Sequence, residues 1–327
     1  MSDGPGESDG AVDRGSSAAD RDRGERPIEV VGLGTVVVDH IVMLEAYPTA
    51  DSKNPITEDH LQVGGPVPTA LVAAARFGRR CRFIGAWADD AYGQLIDADL
   101  QGEGIETAGS VRQVGGRTGF AHVWVCQATA RRTVAVHRSV AEPRADAVSD
   151  AALAQARAVH LDGWPSGAAL GLARRAKAAG CVVFVDTGTP KPGIDALLGV
   201  ADVVNAPRRF AERFCRSDDL ERAAGRLRAM GPSLVTITDG VRGVVAADGA
   251  GIRRQPAFDV EALDTTGAGD VFCGGLIHAV LAGWPTPRTL AFAAAAAAIK
   301  CRGLGNRAAL PTLEQVEALA RTAPRQD

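Results

Sequence analysis

Apolar and polar positions alternate in two different ways along this chain. In the first part, Ile28 to Leu44 is a β-branched run interrupted at Gly32 and Gly34, which predicts a buried strand continuing into a second, more exposed one. Residues 47–63 are polar with Pro48 and Pro55, and Gly64-Gly65-Pro66 then opens an Ala-rich helix ending near Gly78. Cys81 to Trp87 reads as a strand, and Asp89 to Gly93 as a turn into a helix reaching about Gly102, with an Asp as its N-cap. Arg117 to Cys126 and Arg132 to Arg138 are β-rich runs joined by Gln127 to Arg131, a hairpin signal. After Glu142 the pattern becomes regular. Strand-length runs at Val159–Leu161, Val182–Val185, Val200–Val204 and Leu234–Thr238 alternate with helical stretches at 166–179, 191–198, 208–215 and 219–230. Helical patterns at Val271–Leu281, Leu290–Lys300 and Pro311–Thr322 complete the chain. Such alternation predicts an α/β fold, a mostly parallel central sheet with helices on both faces. Segments 36–63 and 112–138 are left over to form a small second sheet.

With 327 residues, 46% of them hydrophobic, the chain can bury a sizeable core, and we expect one domain over residues 27–322. Residues 1–26 are Gly, Ser, Asp and Arg and are expected to be a disordered tail, with a short tail at 323–327. The formal net charge of −3 resides in those first residues, so the remainder is near neutral and lacks the basic excess of a nucleic-acid-binding surface. Six cysteines (Cys81, Cys126, Cys181, Cys215, Cys273, Cys301) stand apart in or beside apolar segments. They read as reduced thiols of a cytoplasmic protein, without a metal site. No apolar run is long enough for a membrane span once Lys300 and Arg302 close the Ala-rich stretch, and the N-terminus lacks a signal peptide's apolar segment.

Candidate chemistry concentrates at Leu263 to Leu276. Gly267-Ala268-Gly269 precedes an apolar helix, so backbone N–H groups converge at a helix N-terminus, a place that binds anions. Asp270 lies at that point. The helix dipole is expected to keep it ionised near neutral pH, as suits a general base taking a proton from an attacking hydroxyl. Loop and base together read as phosphoryl transfer, although the same residues also describe a tight turn with an N-capping Asp. Asp39 is the one acidic residue between Val30 and Leu44 and must face solvent or a polar ligand. Strand ends carry Asp162, Asp186 with Gly188, Asn205, and Thr238 with Gly240, where ligands of open α/β sheets sit and where turn residues also occur. His137 and Arg138 end a strand of the small sheet, placed for an anionic substituent or as edge charges.

The run Asp264-Thr265-Thr266-Gly267-Ala268-Gly269-Asp270 resembles the C-terminal signature of the ribokinase, or PfkB-type, carbohydrate kinases. The resemblance extends over about residues 28–320. It implies a ribokinase-like fold with the small sheet as a lid, and Asp270 as base with Gly267, Ala268 and Gly269 as the anion hole. Val38-Asp39-His40 falls in register with an Asp that accepts sugar hydroxyls. Gly64, Gly65, Arg76 and Gly78 match the family, but Thr69 stands where an Asn that helps to fix the sugar is usual. Gly-Gly-Pro-x-x-Thr-Ala is more similar to ketohexose-type and sulfofructose-type kinases. Thr238 to Gly243 resembles the segment lining the nucleotide phosphates, and Asn205 an Asn near the phosphate and Mg²⁺ shell. Arg208 replaces the Glu expected three residues later. Gly303 and Asn306 lie in a loop that, together with the one around Asp264 to Thr266, flanks adenine in such enzymes and often supplies carbonyls to a monovalent cation, K⁺ being one candidate.

The resulting expectation is an ATP- and Mg²⁺-dependent kinase of a ketose or related sugar. Sugar contacts would come from Asp39, Gly64, Gly65, Thr69, Arg138 and Asp162, and nucleotide contacts from Asn205, Thr238, Gly240, Gly243, Gly303 and Asn306. A homodimer through the lid is implied by the same resemblance. The rivals are a nucleoside kinase of this fold and a homologue that binds but does not turn over.

Overall fold

A computed structural model describes residues 27–128, 131–138 and 142–322. The expected tails 1–26 and 323–327 lie outside the described residues, as does part of the hairpin turn.

The central sheet has eight strands. Six are parallel: β1 (Val30–Leu33), β4 (Cys81–Ile84), β9 (Ala158–Leu161), β10 (Val182–Asp186), β11 (Val203–Pro207) and β12 (Leu234–Thr238). Two antiparallel strands, β13 (Val244–Asp248) and β14 (Gly251–Gln255), extend one edge, giving the order β14-β13-β12-β11-β10-β9-β1-β4. Successive residues serve opposite faces, so Val30 packs into one core and Val31 into another. On the first face lie α1 (Pro66–Arg76), α2 (Ala91–Gly102), α8 (Ala268–Leu281), α9 (Thr286–Lys300) and α10 (Leu313–Ala320). The second holds α3 (Asp150–Gln155), α4 (Ser166–Ala178), α5 (Ile194–Leu198), α6 (Arg208–Cys215) and α7 (Leu220–Arg228).

The sequence expectation differs in several places. Cys81 to Trp87 is two strands, because the chain leaves the main sheet at Gly85 and β5 (Ala86–Ala88) pairs with β6 (Val111–Gln113) instead. Strand β6 thus overlaps the segment 112–138 but lies outside the smaller, four-stranded sheet. Helix α3 is unexpected, and the helix expected at 191–198 begins only at Ile194. The strand expected at Val200–Val204 runs at Val203–Pro207. The β13–β14 hairpin was not anticipated, although Asp248-Gly249 is a hairpin signal between two strand-length runs. Cys81, Cys181, Cys215, Cys273 and Cys301 are free thiols, and among the described residues no helix is long and apolar enough to cross a membrane.

The smaller sheet is a four-stranded lid, in the order β3 (Glu58–Gly64), β2 (Val37–Leu44), β7 (Phe120–Cys126), β8 (Arg131–His137). Gln62, Asp39, Ala121 and Val136 are cross-strand partners and therefore share a face. That face looks onto the α/β body, since the Gln62 Oε1 accepts the Asn306 backbone N–H at 2.8 Å. Helix α8, which carries Asp270, is fixed by close approach on two sides. A Cβ on Gly274 would lie 2.6 Å from the Ala70 carbonyl oxygen of α1, and one on Gly275 would lie 2.8 Å from Cα of Ala293 in α9. The tandem glycine seats the base between two helices.

Candidate active site

Helix α8 begins at Gly267, which has φ of 76° and offers no capping side chain, so the N–H groups of Gly269 and Asp270 remain open for an anion, while the Ala268 N–H makes a long turn bond of 3.3 Å to the Thr265 carbonyl oxygen. Side chains from distant segments meet here. A methyl group on Gly267 would lie 3.0 Å from Cβ of Asn306, 3.7 Å from Cγ2 of Thr69 and 3.8 Å from Oδ2 of Asp270. Ala268 and Gly269 continue the same turn. The loop and base expected from sequence therefore stand beside Thr69, a residue expected at the sugar.

The protonation state of Asp270 differs from the expectation. Burial, and then the charges of Asp186 and Asp39, push its pKa up to about 8, against opposing help from Arg132 and Arg307. The helix dipole, worth about 0.3–1 kcal/mol near a surface, is outweighed by desolvation and two like charges. A carboxylate with a pKa near working pH is the stronger base. Because kcat/KM reports the free enzyme, it is expected to rise with pH and level off above about 8. A pH series over the neutral range checks this, and a flat profile would contradict it.

Asp39 faces the same cleft. Burial raises its pKa to about 6, moderated by Arg307 and Arg132. Its carboxylate fixes the glycine beside it, because a Cβ on Gly64 would lie 2.0 Å from Asp39 Oδ2. Gly65, with φ of 113°, passes the Thr35 carbonyl oxygen so closely that a Cβ there would sit 2.3 Å away. Both glycines admit backbone and carboxylate to one small space.

Thr69 is fully buried on α1, and its hydroxyl meets Asn306 Nδ2 at 3.3 Å and Arg307 Nη1 at 3.2 Å. Asn306, expected among the nucleotide contacts, sits between Thr69, Gly267 and the lid residue Gln62, because the loop after α9 folds back under the lid. Arg307 is held by Asp99 at 3.0 Å, and its buried Nη2 has no hydrogen-bond partner. Sequence reading missed Arg307. It also missed Arg132 of the lid, whose charge reaches both Asp39 and Asp270. Arg132 lay inside a run read as a strand, but only the register brings it near the carboxylates.

Asp162, expected at the sugar, directly follows the last residue of β9. Its carboxylate accepts backbone N–H groups of Thr35 at 3.0 Å and Trp164 at 2.8 Å, so it ties the β1 and β9 loops together. Lys191 reaches the Asp162 carbonyl oxygen at 2.5 Å. Arg138 lies with its guanidinium 5.7 Å from the centre of the Trp164 ring. Asp186 is buried against Cys273, and burial, opposed by the Gly188 N–H, Cys273 and Lys191, raises its pKa to about 6.

On the expected nucleotide side, Asn205 is buried and its Oδ1 accepts the Thr236 hydroxyl at 2.9 Å. Thr238 ends β12 and Gly240 follows with φ of 57°. A Cβ on Gly243 would lie 2.1 Å from the Gln255 carbonyl oxygen, so that glycine serves the backbone crossing. Gly303 likewise turns tightly, within 2.8 Å of Ala309 Cβ by the same measure. Arg208, in place of the usual Glu, is paired with Glu212 and with Asp239, the latter at 2.9 Å, and so presents no carboxylate toward Asn205. Among the described residues no group of three His, Cys, Asp or Glu side chains is placed to hold a metal.

A monovalent cation near Asp264 and Thr266 does not fit these residues. The Asp264 carbonyl and carboxylate oxygens that would hold it already accept the buried ammonium of Lys300, at 2.7 and 3.2 Å.

The sequence profile of the pfkB family carbohydrate kinases matches residues 28–313. The chain belongs to this family. The kinase is 28% identical to the ribokinase of Haemophilus influenzae over 294 residues, which span 86% of this chain and 95% of that protein. It is 25% identical to the 5-dehydro-2-deoxygluconokinase of Geobacillus thermodenitrificans over 320 residues, 90% of this chain and 93% of the other. Its fold matches that of Arabidopsis thaliana ribokinase complexed with ribose and ATP, with a TM-score of 0.77 and 22% identity over 90% or more of both chains: 91% of this one and 100% of the other. This kinase is a phosphotransferase that acts on a sugar hydroxyl.

Proposed function

We propose that this kinase transfers the γ-phosphoryl group of ATP to a hydroxyl of a ketose or related sugar carrying an anionic substituent. One observation carries the reading: the open N-terminus of α8, Asp270, Thr69 and Asn306 converge on Gly267, with Asp39 close enough to raise the pKa of Asp270. Asp39 would hold sugar hydroxyls and Asp270 would take the proton of the attacking one. The N–H groups of Gly267 to Asp270 would hold the charge of the transferring phosphoryl group. The lid, pressed onto the body through Gln62, would exclude water so that phosphate passes to sugar and not to hydroxide.

Support for an anionic substituent comes from the free Nη2 of Arg307 and from Arg132, with Lys191 and Arg138 along the same cleft. Magnesium would arrive with ATP and neutralise phosphate charge, with Asp186 and Asn205 as the nearby oxygen donors suited to its hydration shell. Neither K⁺ nor another monovalent ion is part of this reading. Leu61 and Trp124 are exposed on the lid face turned away from Asp39, which suits a homodimer through that sheet. ATP use and the free thiols of Cys81, Cys181, Cys215, Cys273 and Cys301 suit the cytoplasm.

ADP release measured with fructose, fructose phosphates, ribose, tagatose, 6-deoxy-6-sulfofructose and a set of nucleosides tests the assignment. Turnover is expected to be best with an anionic ketose. Turnover of nucleosides alone would establish the nucleoside-kinase reading, and no turnover with any acceptor would favour a binding homologue.

A further inference from the structure

Lys300, the last residue of α9, is fully buried. Its Nζ donates to the Asp264 carbonyl oxygen at 2.7 Å and to Asp264 Oδ2 at 3.2 Å. The same carboxylate accepts Thr266 N–H through Oδ1 at 2.8 Å and Gly305 N–H through Oδ2 at 2.9 Å. Behind it, the N–H groups of Leu263 and Asp264 donate to the Cys301 carbonyl oxygen at 2.8 and 3.1 Å. Asp264 thus joins the strand-to-helix loop that becomes the anion hole to the loop that delivers Asn306 and Arg307, and the ammonium neutralises the junction. Burial lowers the pKa of Lys300 while the Asp264 carboxylate and its hydrogen bond raise it. The Asp264 carboxyl, although burial raises it, is held below its ordinary value by Lys300 and by the Thr266 and Gly305 N–H groups. The pair is therefore an ion pair, and removing one charge would leave the other buried.

We propose that Lys300 is a built-in monovalent cation: its ammonium organises the Asp264–Gly267 loop from within, so the enzyme needs no K⁺ or Na⁺. Lys300 is then a positioning residue, acting on the reacting atoms only through that loop and the anion hole beyond it. The inference rests on the kinase reading for its catalytic consequence, but the ion-binding part stands on the geometry alone.

The test compares the full-length enzyme with Lys300→Ala and Lys300→Met, each in potassium or in choline at matched ionic strength. Wild-type kcat/KM is expected to agree within about twofold between the two salts, since the site has no vacancy to fill. Lys300→Ala opens an ammonium-sized space beside two oxygens, so its kcat should fall about tenfold or more in choline and recover in potassium. Lys300→Met keeps the volume without the charge and should stay impaired in both salts. Thermal melts give a second readout: potassium should stabilise Lys300→Ala and leave wild type and Lys300→Met unchanged. Strong activation or stabilisation of wild type by potassium, or undiminished kcat of Lys300→Ala in choline, would overturn the proposal. If no acceptor is turned over, the melts alone decide, and a Lys300→Ala melt indifferent to potassium would overturn it too.

Discussion

An Asp270→Asn enzyme is expected to lose turnover by about 10²–10⁴-fold, the usual contribution of a positioned general base. Asn has the same shape as Asp, and the N–H groups at Gly267 do not depend on the carboxylate, so ATP binding should change little. Its stability should move in the opposite direction from its activity. The folded-state pKa of Asp270 lies near 8, above its ordinary value of 3.8, because burial and the charges of Asp186 and Asp39 disfavour the anion. A carboxyl raised in this way costs stability once pH exceeds its unfolded value; the cost grows up to the folded value and is full above it. At pH 8, Asn removes that cost, and the variant should be more stable by an amount of the order of 1 kcal/mol, the full shift being reduced by solvent at the cleft mouth. At pH 4 the difference should vanish. Steady-state kinetics and melts at the two pH values check both halves, and a variant that is inactive but destabilised would point to a structural role for Asp270.

Asp39→Asn is expected to act on the sugar and not on ATP. Loss of charge-assisted hydrogen bonds to hydroxyls costs about 1.5–3 kcal/mol, so kcat/KM for the sugar should fall about 10- to 150-fold while KM for ATP stays within about twofold. A second effect follows from the coupling of the carboxylates. With the Asp39 charge gone, the pKa of Asp270 should drop, and the rising limb of the kcat/KM profile should move to lower pH than in wild type. A loss confined to ATP binding, or an unmoved pH limb, would place Asp39 away from the reacting hydroxyl.

Much of this site is legible from local sequence because its parts are backbone features. A small-residue loop ahead of an apolar helix gives the anion hole at Gly267, and Asp39 is conspicuous as a carboxylate on an apolar strand. The α/β alternation after Glu142 shows the parallel sheet for the same reason: its period changes from strand to helix and back. Contacts that depend on register or on chain return are not legible in this way. Arg132 reaches the carboxylates only through the β7–β8 pairing, and Asn306 reaches Thr69 only because the loop after α9 folds under the lid. Neither fact has a local pattern. The ionisation of Asp270 is not legible for a related reason, since its burial, which raises its pKa most, and the added charges of Asp186 and Asp39 arise only from chain segments far away in sequence. Lys300 in turn looked like the charged end of an Ala-rich helix. Its full burial beside Asp264 appears only when the helix packs against the loop.

The central claim is that Asp39 and Asp270 hold and activate the same sugar. A crystal structure with the sugar that turns over best and a non-hydrolysable ATP analogue tests it directly. The account predicts one sugar hydroxyl within hydrogen-bond distance of Asp270 and facing the terminal phosphate at the Gly267 loop, with other hydroxyls on Asp39. A sugar bound away from Asp270, or a terminal phosphate away from the N-terminus of α8, would contradict it.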